Sequence, residues 1–249
     1  MTTKNFSERF PCSDSVEILT IKDLIEWQEA NVSEDSRLLL PSIQRSIVWS
    51  NEQVINYWDS LLRGYPAGTM MVHRVASTSS KARDTEGKTI NAKKDDFLLF
   101  DGQQRMTAIL LGFGKGQMKD SCKLWVDFGG SKKNPKLKFQ LRITSTGQPF
   151  GYRPDLPNQK IKLGKRHEKW ANILEKDPNL KPQEVFKADV NGSYIIDAEC
   201  PVSFHDICAL TLLDENKLER AIGELAKEKN APKAEACIKE FVCALKKST

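Results

Sequence analysis

Nothing in this sequence approaches the roughly 20 consecutive apolar residues of a membrane-spanning helix, so no segment reads as an anchor. The opening Met1-Thr2-Thr3-Lys4-Asn5-Phe6 leads into no apolar run, so no secretory leader is expected. No two of the cysteines Cys12, Cys122, Cys200, Cys208, Cys237 and Cys243 have Cys-x-x-Cys spacing. Cys200, His205 and Cys208 lie close together, but the second ligand pair of a zinc site is missing. Buried free thiols are the expectation. Histidine is scarce, and His73, His167 and His205 form no His-x-x-x-His pair. Internal repeats are absent. Together these absences describe a reduced, cytoplasmic protein without a disulfide framework or a structural metal.

What is present suits a globular chain. Of 249 residues, 39% are hydrophobic and 29% charged, enough to bury a sizeable core in one large domain, or in one domain with a smaller helical part. The net charge of +5 permits contact with phosphates or nucleic acid but does not require it.

Periodicity outlines the elements. Ile21 to Ala30 has helical spacing, with Thr20 and Asp23 as a capping pair. Leu38-Leu39-Leu40-Pro41 reads as a short strand stopped by proline. Ser50 and Gln53 form a capping box for a helix that runs to about Arg63, where Gly64 and Pro66 end it. Thr69 to Val75 is a predicted strand, and residues 76–96 read as a polar excursion between strands. Phe97-Leu98-Leu99-Phe100 is a continuous apolar run, expected to be a strand buried on both faces. After Asp101-Gly102, a short helix is predicted over Met106 to Phe113. Lys123 to Phe128 and Leu137 to Ile143 alternate as strands around a glycine- and lysine-rich turn. From about Lys165 the pattern is helical: Lys165 to Lys176, Pro182 to Ala188, Ser203 to Leu213, Asn216 to Lys229 and Pro232 to Lys246. A short strand is predicted at Ser193 to Ile196.

The segment 97–113 carries the most chemistry. A turn at the carboxyl end of a buried strand brings the next helix N-terminus to the sheet rim. There, unpaired amides and the helix dipole attract anions, phosphate above all. Gly102 would let a phosphate approach the backbone. Gln103 and Gln104 offer amide hydrogens, and Arg105 a charged bidentate fork. Asp101 is the one carboxylate suited to Mg²⁺ or to orienting water. Thr107 adds a hydroxyl. The competing interpretation is that Asp101 only caps the helix and Arg105 is a surface arginine. Gln44 and Arg45 follow a second strand, and strand carboxyl ends gather on one rim in such sheets. Arg45 and Arg105 would then face one anion.

Between residues 40 and 112 the order is Leu-Pro-x-x-Gln-Arg, helix, Gly-Tyr-Pro-x-Gly, strand, insertion, apolar strand, Asp-Gly-Gln-Gln-Arg-x-Thr-Ala. This resembles the DGQQR family found at the N-terminus of GmrSD-type, modification-dependent restriction proteins and of related phosphorothioate-sensing antiphage proteins. Leu124-Trp125-Val126-Asp127, Leu141-Arg142-Ile143-Thr144 and Gln148-Pro149-Phe150-Gly151-Tyr152 look like segments of one branch of that family.

The resemblance implies an α+β fold with a small mixed sheet of ParB/sulfiredoxin-like topology and flanking helices, followed by a helical part. It divides the chain into a ParB-like nucleotide-binding domain over 1–160 and a mainly helical extension over 161–249, which the final helix leaves open to being part of a longer protein. It implies an NTP (ATP, GTP or CTP) held by Gln44, Arg45, Gly102, Arg105 and Thr107, with Mg²⁺ on Asp101. Slow hydrolysis would involve Asp101, Gln103, Gln104 and Arg105. Where the ParB-like signature has Gly-Glu-Arg-Arg, this chain has Gly102-Gln103-Gln104-Arg105, so any metal or basic role falls to Asp101. The implied partners are DNA carrying a modification and a nuclease domain or subunit, with a homo-oligomer left open. No HNH-type nuclease pattern can be placed, so cleavage is expected elsewhere. The alternative is a non-catalytic sensor that takes modified DNA into this pocket.

Two basic stretches could track a phosphate backbone. Lys132 and Lys133 sit in the predicted hairpin with Lys136 and Lys138. Lys160, Lys162, Lys165, Arg166 and Lys169 lie beside Tyr152, Arg153 and Trp170, the basic and aromatic mixture that single strands or flipped bases need. Both also read as solvated faces. Gly112-Phe113-Gly114-Lys115-Gly116 imitates a phosphate loop but follows a helix, and reads as a C-capping loop.

Overall fold

The computed structural model describes residues 18–29, 37–42, 48–66, 68–77, 81–84, 88–113, 122–129, 138–185, 192–211, 213–229 and 231–248. Among them are eight strands and eight α-helices. In chain order these are α1 (Ile21–Glu29), β1 (Leu38–Pro41), α2 (Asn51–Leu62), β2 (Met71–Arg74), β3 (Lys81–Arg83), β4 (Thr89–Asn91), β5 (Phe97–Asp101) and α3 (Gln103–Gly112). There follow β6 (Lys123–Asp127), β7 (Gln140–Thr144), α4 (Leu163–Lys176), α5 (Pro182–Val185), β8 (Pro201–Ser203), α6 (Phe204–Leu210), α7 (Glu215–Glu228) and α8 (Glu235–Ser248). The fold class is α+β, as expected.

Local chemistry sets the helix starts. The Thr20 hydroxyl accepts from the Asp23 amide at 3.1 Å, and the Asp23 carboxylate accepts from the Thr20 amide at 2.8 Å. Ser50 and Gln53 form the predicted capping box of α2, and Gly64 beyond its end has φ +80°.

The main sheet has the order β2-β5-β1-β3-β4. β1 and β5 run parallel, Leu38 opposite Phe97, while the other pairings are antiparallel. The parallel pair sends its carboxyl ends to one rim, and β5 continues there into α3. At the opposite end Arg37 binds the buried Asp96 through side chain and backbone. Burial alone would raise the Asp96 carboxyl. Hydrogen bonds from the Arg37 side chain and from the Lys93 and Arg37 amides, with the Arg37 charge, hold it below the usual carboxylate range.

The expectation of one small sheet changes to two. β6, β7 and β8 form a separate antiparallel sheet in the order β7-β6-β8. The polar excursion over 76–96 contains β3 and β4, which cover the β1 edge. Their pattern is weak because Ala82 is the one fully buried side chain and the backbone ladder does the pairing. The strand predicted at Ser193 to Ile196 is instead a 3₁₀ turn at Gly192–Tyr194, followed by two adjacent buried residues, Ile195 and Ile196, which a half-buried strand would alternate. α3 begins at Gln103 rather than Met106, because its first turn is polar and carries no apolar period.

One core joins the sheets and helices. Fully buried Trp58 of α2 donates its indole N–H to the Ala108 carbonyl of α3 at 2.8 Å and packs against Phe204. A Cβ on Gly112 would lie 2.3 Å from the Trp58 ring, so only glycine lets α2 and α3 approach this closely. Phe241 of α8 meets Phe128, Phe139 and Phe204 edge-on. This cluster takes residues from both sides of position 160.

Candidate functional site

The strand–turn–helix forms as the pattern required, except that Phe100, expected to be buried with the rest of the run, is 46% exposed. β5 buries Phe97, Leu98 and Leu99, then brings Phe100 and Asp101 to the surface. Gly102 adopts φ +95°, the left-handed conformation that favours glycine, and turns the chain into α3. α3 buries Met106, Ala108, Ile109, Leu110 and Leu111, so it is fixed in the core by most of its circumference. Gly102 has no side chain to cap the first turn, whose amides lack intrahelical acceptors. A depression of about 440 Å³ lies over this turn, lined by Trp49, Phe100, Asp101, Gly102, Gln103, Gln104 and Arg105. That volume is within the range of about 300–1,000 Å³ usual for small-molecule sites.

Arg105 is not a loose surface arginine: its side chain is 24% exposed and tethered. One guanidinium nitrogen, Nη2, donates to the Thr69 carbonyl at 2.6 Å and to Asp101 Oδ2 at 2.8 Å. Gly68, with φ +87°, lies against the guanidinium: a Cβ there would stand 2.8 Å from Nη1. The arginine is therefore held between Gly68 and the turn, with Nε and Nη1 as its remaining donors. Its charge reaches Tyr57 of α2. Burial pushes the Tyr57 hydroxyl up to about 12, and the nearby Arg105 opposes that rise.

Asp101 does not cap the helix. Its carboxylate turns to Arg105 and is largely exposed, at 68% of its side-chain area. Gly102 has a role other than the expected bare approach for phosphate. It is buried, and a Cβ would lie 2.7 Å from Met70 Cγ, so glycine is required by conformation and by packing against the chain itself. The two glutamines differ. Gln104 Oε1 accepts from the Val48 and Trp49 amides at 3.0 and 3.1 Å, fixing the approach to α2. Gln103 lines the depression with no side-chain partner among the described residues. Thr107 turns its hydroxyl back to the Gln103 carbonyl at 3.0 Å, one turn into the helix.

Gln44, Arg45, Lys132 and Lys133 lie outside the described residues, as do Lys136 and 114–116 of the glycine-rich loop. Lys162 is exposed at the start of α4, Lys165 pairs with Asp197, and Arg166 lies in a second depression. None of these three lines the depression over the 101–105 turn. Cys200 and Cys208 are buried free thiols, and His205 bonds the Phe113 carbonyl through Nδ1.

Sequence reasoning missed Trp49, Tyr57, Phe100 and Thr69 around the turn. Gly68 was visible as the last residue of Gly-Tyr-Pro-x-Gly, though its packing against Arg105 was not.

The fold and this turn define an α+β domain whose parallel strand pair ends at a rim carrying Asp101, Gln103, Gln104 and Arg105. The sequence matches the profile of the GmrSD restriction endonuclease N-terminal domain over residues 21–231, and the chain belongs to that family. It is therefore a component of a restriction system, which implies DNA as the substrate of that system and a nuclease domain as partner. Comparison with curated proteins and with solved structures returned no match. Among the described residues no helix is long and apolar enough to cross a membrane.

Proposed function

We propose that this domain binds a nucleoside triphosphate (ATP, GTP or CTP) at the 101–105 turn and hydrolyses it slowly, gating a nuclease domain that acts on modified DNA. The observation that carries this reading is Arg105, locked by Asp101, Thr69 and Gly68 beside the uncapped first turn of α3. A pre-positioned cation and unpaired amides in one depression are the parts a phosphate chain needs. The parallel pair β1 and β5 feeding this rim supports a ParB/sulfiredoxin-like topology for the main sheet. In this reading residues 1–160 bind the nucleotide and 161–249 are their helical extension.

Hydrolysis would proceed by attack of water on the γ-phosphorus, with the β–γ bridging oxygen leaving on the diphosphate. Nε and Nη1 of Arg105 would hold phosphate oxygens. Gln103 would orient the water, because the Gln104 carbonyl is committed to the Val48 and Trp49 amides. Gln44 and Arg45 would add contacts from the second rim segment, whereas the Thr107 hydroxyl already donates to the Gln103 carbonyl and adds none.

No group of three or more His, Cys, Asp or Glu side chains suited to a metal forms among the described residues. The donor set fits Mg²⁺ only with Asp101 as a single protein ligand, the other positions being filled by phosphate and water. When bound, the ion would neutralise phosphate charge. The ion pair of Asp101 with Arg105 also favours a second reading, a non-catalytic sensor that holds the DNA backbone or a modified base in this pocket.

Nucleotide binding and phosphate release by the wild type and Arg105→Ala, with and without modified DNA, separate the two. The catalytic reading expects turnover to fall by about 10²–10³-fold in the variant. A folded wild type that neither binds nor hydrolyses any NTP, yet binds modified DNA more tightly than plain DNA, would establish the sensor instead.

A further inference from the structure

A second depression, of about 260 Å³, lies between the 147–150 turn, one face of α4 and Pro182 of α5. Leu163, Arg166, His167 and Trp170 line it at the spacing of a single helix face. Pro149, Phe150 and Pro182 complete apolar walls. Phe150 is buried and packs in a satellite core with Ile161, Ile173, Val185 and Ile196, against which Trp170 rests. The pocket is thus backed by fixed side chains.

Two of the lining residues each carry a polar atom that is buried without a hydrogen-bond partner among the described residues: Gln148 Oε1 and Arg166 Nε. Gln148 is only 7% exposed. Its backbone is pinned, with its amide on the Ser145 carbonyl at 2.8 Å and its carbonyl accepting from Gly151 at 3.1 Å. An unmet acceptor and an unmet donor of this kind cost about 1–3 kcal/mol each. They mark a place where a ligand supplies the missing partners. In the segment leading into α4 Lys160 and Lys162 are exposed, Lys165 pairs with Asp197, and the first turn of the helix has no side-chain cap. An apolar slot that holds Arg166 and follows a lysine-rich segment fits a ligand with a flat apolar body and an attached anion.

The volume suits one planar ring system rather than a peptide segment. One acceptor and one donor in an aromatic-walled slot match an amino group beside a ring nitrogen, the edge of cytosine or adenine. Enzymes that turn bases out of the duplex read that edge by such bonds and by stacking. We propose that this pocket receives a single amino-bearing base turned out of DNA, with Gln148 accepting from the exocyclic amino group. Arg166 donates to the adjacent ring nitrogen, and Trp170 stacks on the ring. The site is distinct from the 101–105 turn, and the proposal stands whether or not that turn hydrolyses a nucleotide.

Fluorescence anisotropy on labelled duplexes tests it, with duplexes carrying one unpaired cytosine, one unpaired thymine, or none, at physiological salt. The wild type is expected to favour the unpaired cytosine over the matched duplex by about tenfold. Thymine, which lacks the amino group, gains less. Gln148→Leu and Trp170→Ala abolish the preference but retain binding to the matched duplex. Phosphate release from NTP stays at the wild-type value in Gln148→Leu, so failure here is separable from failure at the turn. Because Gln148→Leu removes an unmet carbonyl, it melts at or above the wild-type temperature. Equal binding of all duplexes by the wild type overturns the proposal, as does a preference that survives both substitutions. A Gln148→Leu protein melting well below wild type overturns it too, since the carbonyl would then be met within the fold. Free deoxycytidine that abolishes the preference at concentrations comparable to the labelled DNA would identify a nucleoside site instead.

Discussion

The two depressions are built in opposite ways. The one over the 101–105 turn mixes polar and apolar walls, and six of its seven lining residues are consecutive in sequence. The one beside α4 is apolar and draws on three separate segments, around 147–150, 163–170 and 182. In the first, the main cation is already paired, Arg105 with Asp101 and Thr69, so a ligand meets a site organised in advance. In the second, two lining residues carry buried polar atoms that have no partner among the described residues. The contrast teaches that a held charge and an orphaned polar atom are different signatures of binding. One lowers the reorganisation needed for an anion, and the other can be satisfied only by a partner of complementary pattern.

Substitutions can break that comparison or sharpen it. The largest effect is expected in the main core, on which α3 and the overall fold rest. Trp58→Ala removes the indole that ties α2 to α3 and should cost about 3–5 kcal/mol of stability, read by denaturant titration. Loss of nucleotide and DNA binding together would follow. A variant that keeps full stability would show that α3 is held without this contact.

A smaller and more selective effect is expected from Gly102→Ala. The positive φ alone costs about 1–3 kcal/mol for a residue with a side chain, and the new Cβ meets Met70. Nucleotide affinity should fall while the preference for unpaired cytosine persists, because the two depressions share no lining residue. Parallel loss of both activities would break the separation. The mildest change is Gln104→Ala, which leaves the Val48 and Trp49 amides without their acceptor. It should cost about 0.5–1.5 kcal/mol and reduce phosphate release less than Arg105→Ala does. A loss as large as that of Arg105→Ala would assign Gln104 a direct part in the chemistry.

Much of the first site could be read before folding. The apolar run Phe97 to Phe100, the break at Asp101-Gly102 and the charge of Arg105 are local, and each acts through the residues next to it. The caps at Thr20 and Ser50 were legible for the same reason. What escaped was non-local. The contact of Gly68 with the Arg105 guanidinium joins residues 37 positions apart in sequence, and no pattern in either segment encodes it. The strands β3 and β4 were hidden because a polar edge hairpin is held by its backbone ladder. Gln148 drew notice only as part of a family-like loop, since burial of one amide depends on α4 folding over it.

By itself, then, the sequence determined the strand–turn–helix, its chemistry and the family, because hydrophobic period, glycine and charge act over a few neighbouring residues. Only the tertiary structure decided how that chemistry is arranged. It tied Asp101 to Arg105, turned Gln104 into a brace for Trp49, and brought Gln148, Arg166 and Trp170 around one pocket. Those outcomes depend on which distant surfaces pack together, and packing is settled by the whole core rather than by any one segment.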